Sequence, residues 1–140
     1  MADAVTTQTI FDTKTRIKVH WTNISDGTGE LAVKKLDIST LSASDGAAPA
    51  SLDIESVRWN IQGMTSVRIL WDHTTDDVAV VLFGSGYDDF RNDDQADDST
   101  IPALRDPRSS GGDGSILLTT NGQVSGASYD ITVTLRKRPD

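Results

Sequence analysis

The stretch Ser128-Tyr129-Asp130-Ile131-Thr132-Val133-Thr134-Leu135 decides the fold class of this chain. Tyr129, Ile131, Val133 and Leu135 alternate with Asp130, Thr132, Thr134 and Arg136. A period of two describes a strand with one buried face and one wet face. The same rhythm recurs elsewhere. Ile17, Val19 and Trp21 alternate with Arg16, Lys18, His20 and Thr22, and Val67, Ile69 and Trp71 stand beside Arg68 and Asp72. Leu52, Ile54, Val57, Trp59 and Ile61 fit a strand with a one-residue slip near Glu55-Ser56, as a β-bulge produces. Residues 78–83 are apolar on both phases, which predicts a central strand covered on both faces. Ile116-Leu117-Leu118 reads as a short strand, and Thr9-Ile10-Phe11 is a further candidate.

The connections agree. Ser25-Asp26-Gly27-Thr28-Gly29, Asp45-Gly46, the run from Asp72 to Asp77, and Asn121-Gly122 all carry turn chemistry. The short link between Trp71 and Val78 predicts a hairpin of residues 67–71 with 78–83. Residues 30–41 admit two readings. Val33, Leu36 and Leu41 could share a helical face, or Leu31 and Val33 could precede Leu36 and Ile38 across a bulge at Lys34-Lys35. About eight short strands at turn spacing predict an all-β fold: an antiparallel two-sheet β-sandwich, with the jelly-roll as one form of it. The 140 residues read as a single domain, with residues 1–9 as an N-terminal arm.

Residues 84–114 break the rhythm. They hold eight aspartates against three arginines and few apolar residues, so most of the chain's net charge of −8 lies there. Such a segment is a solvated loop or an interaction arm. Tyr87 and Phe90, with Arg91 beside them, are residue types that interfaces favour, placed where no local core exists.

The charge argues against nucleic acid and against an anionic membrane surface, both of which need a lysine and arginine face. Residues 1–5 carry no basic or apolar leader pattern, so no signal peptide is expected. Without cysteine there is no disulfide, thiolate metal site or cysteine nucleophile. His20 lies on a polar strand face and His73 in a turn, which suits solvated or satisfied rings better than catalysis. Gly84-Ser85-Gly86 lacks the spacing of a nucleophile elbow. Asp76-Asp77, Asp88-Asp89, Asp93-Asp94 and Asp97-Asp98 lack EF-hand spacing, and neighbours on an extended chain point apart. No metal, cofactor or catalytic residue is therefore expected. Trp21, Trp59 and Trp71 fall on apolar phases and read as core, which weakens an alternative reading as a carbohydrate-binding module. Asn23-Ile24-Ser25 matches a glycosylation acceptor only as a pattern. Arg136-Lys137-Arg138 reads as a solvated end or as a partner for the acidic loop of a neighbouring copy.

Four stretches carry a resemblance. Thr7-Gln8-Thr9-Ile10-Phe11-Asp12, the run from Trp21 to Glu30, the run from Ser66 to Asp72, and the opening stretch at Ser128 resemble small virion structural proteins of tailed phages, especially marine and cyanobacterial ones. The likeness covers about two thirds of the chain and is one of strands and turns. It implies a non-enzymatic capsid decoration or cement protein, made in the host cytoplasm and seated on the virion exterior. Its partners would be the major capsid protein and copies of itself, as a homo-oligomer such as a trimer. A tail or connector position in the virion is the alternative. The residues expected to make contact are Thr7, Gln8, Tyr87, Phe90 and Arg91, with the acidic loop.

Overall fold

The longest strand is the spine of the molecule. In the computed structural model, which describes residues 4–42, 46, 47, 49, 51–72, 76–89, 104, 105 and 115–138, β10 (Ser125–Arg138) runs between β2 (Arg16–Asp26) and β4 (Ser51–Gln62). It is antiparallel to both. Tyr129, Ile131, Val133 and Leu135 are all buried, as their alternation predicts. Sheet A extends outward from this trio in the order β1-β2-β10-β4-β7, with β1 at Ala4–Asp12 and β7 at Ser85–Asp89. The two-residue β8 (Leu104–Arg105) pairs with β4 beyond β7. Sheet B holds β3 (Val33–Leu36), β9 (Ile116–Asn121), β5 (Ser66–Trp71) and β6 (Asp77–Leu82), in that order. Every pairing is antiparallel. The inner phases of the two sheets enclose one core, which includes Ile17, Val19, Trp21, Val67, Ile69 and Trp71. This is the expected all-β, two-sheet arrangement.

Local slips fall where the patterns place them. Thr134 pairs with Ser56 and Leu135 with Ile54, so Glu55 is the extra residue of a bulge. In β3, Lys34 pairs with Leu117 and Leu36 with Ile116, which leaves Lys35 as the slip. The helical reading of residues 30–41 fails. The segment is a strand followed by a single 3-10 turn at Ile38–Thr40, capped by the Asp37 carboxylate accepting from Ser39 N at 3.0 Å. Leu31 lies exposed, while Leu36 and Ile38 are buried. β5 and β6 form the expected hairpin.

Three expectations need correction. Residues 78–83 are not a central strand: β6 ends sheet B, and Val78, Val81 and Phe83 are open to solvent. A run apolar on both phases does not say what lies beside it. Residues 4–9 of the expected arm are strand, zipped onto β2 from Ala4–Ile24 to Thr9–Val19. The basic run 136–138 is neither a free end nor an edge, because β10 is the middle strand of its sheet. Arg136 Nη2 donates to the buried Asp53 carboxylate at 3.2 Å. Lys137, with its side chain 1% exposed, pairs with Asp12 and donates to the carbonyls of Thr13 and Ser42.

Sheet A is wider than sheet B, and the burial pattern shows where the excess falls. Val5, Thr7 and Thr9 share the phase of Asn23, Trp21 and Val19, yet all three are exposed while their partners on β2 are buried. Sheet B ends before it reaches β1. The strand hangs from the sandwich by its ladder with β2, its side chains from Val5 to Asp12 exposed and its outer edge paired with no described residue.

Candidate interaction surface

The solvent face of sheet A gathers the polar phases of four strands. Arg16, Lys18 and His20 come from β2, Ser56 and Arg58 from β4, and Thr132 and Thr134 from β10. Tyr87 comes from β7, directly across from Arg58. The cross-strand geometry brings residues from distant parts of the chain within reach of one another. A concavity of about 510 Å³ runs across these residues, His20 excepted, and is lined at the β1 end by Ile10 and Phe11.

The charges on this face are unevenly committed. Arg16 Nε donates to Oε1 of the buried Glu55 at 2.8 Å, a pair made possible by the bulge. His20 Nε2 lies 2.5 Å from Asp130 Oδ1, so the ring has a partner. The Arg58 guanidinium sits 5.5 Å from the centre of the Tyr87 ring, a cation–π contact. Tyr87 Oη donates to Asp89 at 3.3 Å. Among the described residues, Lys18 and Arg58 have no acidic partner, and the hydroxyls of Ser56, Thr132 and Thr134 have no side-chain hydrogen bond.

The structure sorts the residues expected from the sequence. Tyr87 is 54% exposed and stands in this concavity. Gln8 pairs with His20 and shares its face at the edge of the sheet, whereas Thr7 pairs with Trp21 and faces the other way. Phe90 and Arg91, His73, and most of residues 84–114 lie outside the described residues. Residues 85–89 of that segment are strand β7 rather than loop, and Asp88 and Asp89 fall on opposite faces of it. Gly84-Ser85-Gly86 is the turn into β7, and Gly86 lies where a Cβ would come within 2.7 Å of the Trp59 ring. Asn23 is buried and donates to Glu30 at 2.9 Å, so it is no glycan acceptor. Among the described residues, no three His, Asp or Glu side chains come together to hold a metal.

Lys18 and Arg58 are given no role by the sequence, and Phe11 stands there only as part of a candidate strand and of a resembling stretch. The one local signal for the two cations is the concentration of basic residues on polar strand phases. Which strands lie side by side depends on pairings between segments far apart in the chain.

At the other end of the sandwich is a buried polar cluster. Glu30 and Lys35 pair at 2.5 Å with side chains 5% and 4% exposed. Tyr129 Oη and Asn23 Nδ2 both donate to Glu30 Oε1, at 2.5 and 2.9 Å. Each member has a partner inside the fold, which marks the cluster as a structural tie between β2, β10 and the segment entering β3.

No family model, curated protein or solved structure matches this chain.

Proposed function

We propose that this chain is a non-enzymatic structural protein of a phage virion, a decoration or cement protein that seats on the outer surface of the head shell. The observation that carries the reading is the overhang of sheet A. A β-sandwich with a complete core extends one nine-residue strand, β1, past the end of its second sheet. A strand exposed on both faces, with one edge that no described residue pairs, is a template for another polypeptide, and soluble monomers ordinarily guard such edges. Between Ala4 and Phe11, β1 carries neither charge nor proline to repel a partner strand. The stretch that contains it is also one of those that resemble phage virion proteins.

The physical role is clamping. Copies seated across neighbouring shell subunits add contacts that must break before the shell opens, and binding to the assembled state stabilises it by mass action. Shell symmetry makes each contact multivalent. The partners are the major capsid protein and, through the same edge, further copies of this chain.

The test is decoration of preformed shells that lack the protein. Saturable binding at a stoichiometry fixed by the shell symmetry is expected. Recovery of the protein only with tails or connectors from disrupted particles would move it to that part of the virion and end the decoration reading.

A further inference from the structure

We infer that the concave outer face of sheet A, centred on Lys18 and Arg58, is a docking groove for an extended acidic segment of a partner polypeptide. The inference deepens the proposed role as a virion interaction module and rests on it.

Charge complementarity carries it. The chain bears a net charge of −8, yet among the described residues the lining of this groove contains three basic side chains and no acidic one. One of them, Arg16, is neutralised by Glu55. The other two, Lys18 and Arg58, have no carboxylate among the described residues. In an acidic molecule such cations would ordinarily find internal partners, and the acids described on this face have other ones. Asp130 meets His20, Glu55 meets Arg16, Asp53 meets Arg136, and Asp89, across the ladder from Ser56, accepts from the Tyr87 hydroxyl. The groove is therefore an electropositive strip on an acidic body, and its complement is an anion.

The remaining lining identifies the class of anion. The floor is a row of small hydroxyls: Thr132 and Thr134 are half-buried and available to exchange hydrogen bonds with a peptide backbone, and Ser56 beside them is buried. The strip crosses from β1 to β7, four strand spacings or about 19 Å, the length of about six extended residues. Phe11 at one end and Tyr87 at the other supply apolar anchors, 38% and 54% exposed. A sugar chain stacks on an aromatic face, and the Arg58 guanidinium, 5.5 Å from the centre of the Tyr87 ring, leaves it at most one face of that ring. A nucleic acid would need more than two uncommitted cations in so acidic a protein. An arginine in a cation–π contact keeps N–H groups to spare, and a guanidinium can grip a carboxylate with two parallel hydrogen bonds.

The experiment uses the full-length protein and a fluorescein-labelled decapeptide of alternating glutamate and serine, read by anisotropy. Saturable binding that weakens with added salt is expected. The double variant Lys18→Gln/Arg58→Gln should weaken it roughly tenfold or more. Arg58→Lys, which keeps the charge but not the fork, should fall between that variant and the unaltered protein. Lys34→Gln on sheet B should bind as the unaltered protein does, and all variants should unfold at the same temperature. No binding, or binding indifferent to the double variant, overturns the groove. Preference for a heparin oligosaccharide over the peptide, lost in the same variant, overturns the polypeptide assignment. Self-association by sedimentation that the double variant abolishes would make the occupant a second copy and overturn the separate partner. Because the peptide assay contains no virion, loss of peptide binding with shell decoration intact would remove the groove alone. Peptide binding without decoration would remove the virion role alone.

Discussion

Lys137 and Asp12, 125 positions apart, form an ion pair that closes one end of the sandwich. The ammonium is the inner-phase group one step past the last core residue of β10, where a hydrophobe would leave the ends of two other segments untied. Its three donors instead reach Asp12, the carbonyl of Thr13 and the carbonyl of Ser42. Lys137→Met keeps the stem and removes the donors. A fully buried pair broken on one side costs about 3–5 kcal/mol. Asp12 is 43% exposed and rehydrates, so a loss of about 2 kcal/mol is expected. Urea unfolding with an unchanged slope and a lowered midpoint checks this; an unchanged midpoint would show that the three contacts contribute nothing net.

The Glu30 cluster makes the opposite case, because both charges are covered. Tyr129→Phe removes one of the donors to Glu30 and should cost about 1–2 kcal/mol. Glu30→Gln leaves Lys35 buried beside a neutral amide and should cost about 3–5 kcal/mol. The order matters more than the sizes. Equal losses in equilibrium unfolding would mean that Lys35 escapes to solvent when its partner is neutralised.

Much of this was legible from local pattern. The alternations at Tyr129–Leu135 and Ile17–Trp21 place the inner faces, and the phase slip at Glu55-Ser56 foretells the bulge that later holds Arg16. The position of β6 at an edge was not legible, because exposure of Val78 and Val81 is decided by the absence of a neighbour. The use of Lys137 was hidden for the same reason. Its partners at Asp12 and Ser42 come near only once β1, β2 and the 3-10 segment are in place. In the candidate surface, Tyr87 was visible as an aromatic without a core, but Arg58 acquires its role only from lying across the ladder from it.

Gly86 exists to admit the Trp59 ring. The indole N–H donates to the Phe83 carbonyl at 2.8 Å, and the ring lies over the glycine. Gly86→Ala should push the ring outward and cost about 1–3 kcal/mol by overpacking. Trp21 and Trp71 stay buried in that variant, so native emission should red-shift only in part. Trp71→Ala, by contrast, should cost about 3–5 kcal/mol, as deletion of a large core side chain does. Unshifted emission from Gly86→Ala would show that Trp59 has room that the packing denies.

Ala32 holds φ at +48°, a left-handed conformation disfavoured for any residue with a Cβ. Its N–H donates to Thr119 Oγ1 at 2.9 Å, which fixes the turn that delivers the chain from β2 to β3. Ala32→Gly relieves the strain but loosens the unfolded chain, and the relief is the larger effect. A gain of about 0.5–1 kcal/mol is expected in thermal unfolding. A loss would mean that the turn tolerates alanine without strain.

The last prediction separates what β1 does for the fold from what it does for assembly. Its side chains from Val5 to Asp12 are all exposed, so removing residues 4–9 takes nothing from the core. The variant keeps Asp12, and with it the pair to Lys137. The loss is a hydrogen-bond ladder whose partner groups on β2 become open to water, and neutral hydrogen bonds exchanged for water are worth little net. Far-UV circular dichroism should remain that of a β-protein, and the unfolding midpoint should fall by only a few degrees. Attachment to preformed shells should nevertheless be lost if the deleted strand is, as proposed, the template for the partner. A milder variant, Thr7→Lys, should keep the ladder to β2, place a charge on the bare edge and weaken attachment in the same direction. If both variants decorate shells with unchanged occupancy, β1 is a stabilising fringe and the clamp lies elsewhere on the molecule. If removing residues 4–9 unfolds the protein while Thr7→Lys decorates normally, the overhang belongs to the fold and the proposed role loses its principal support.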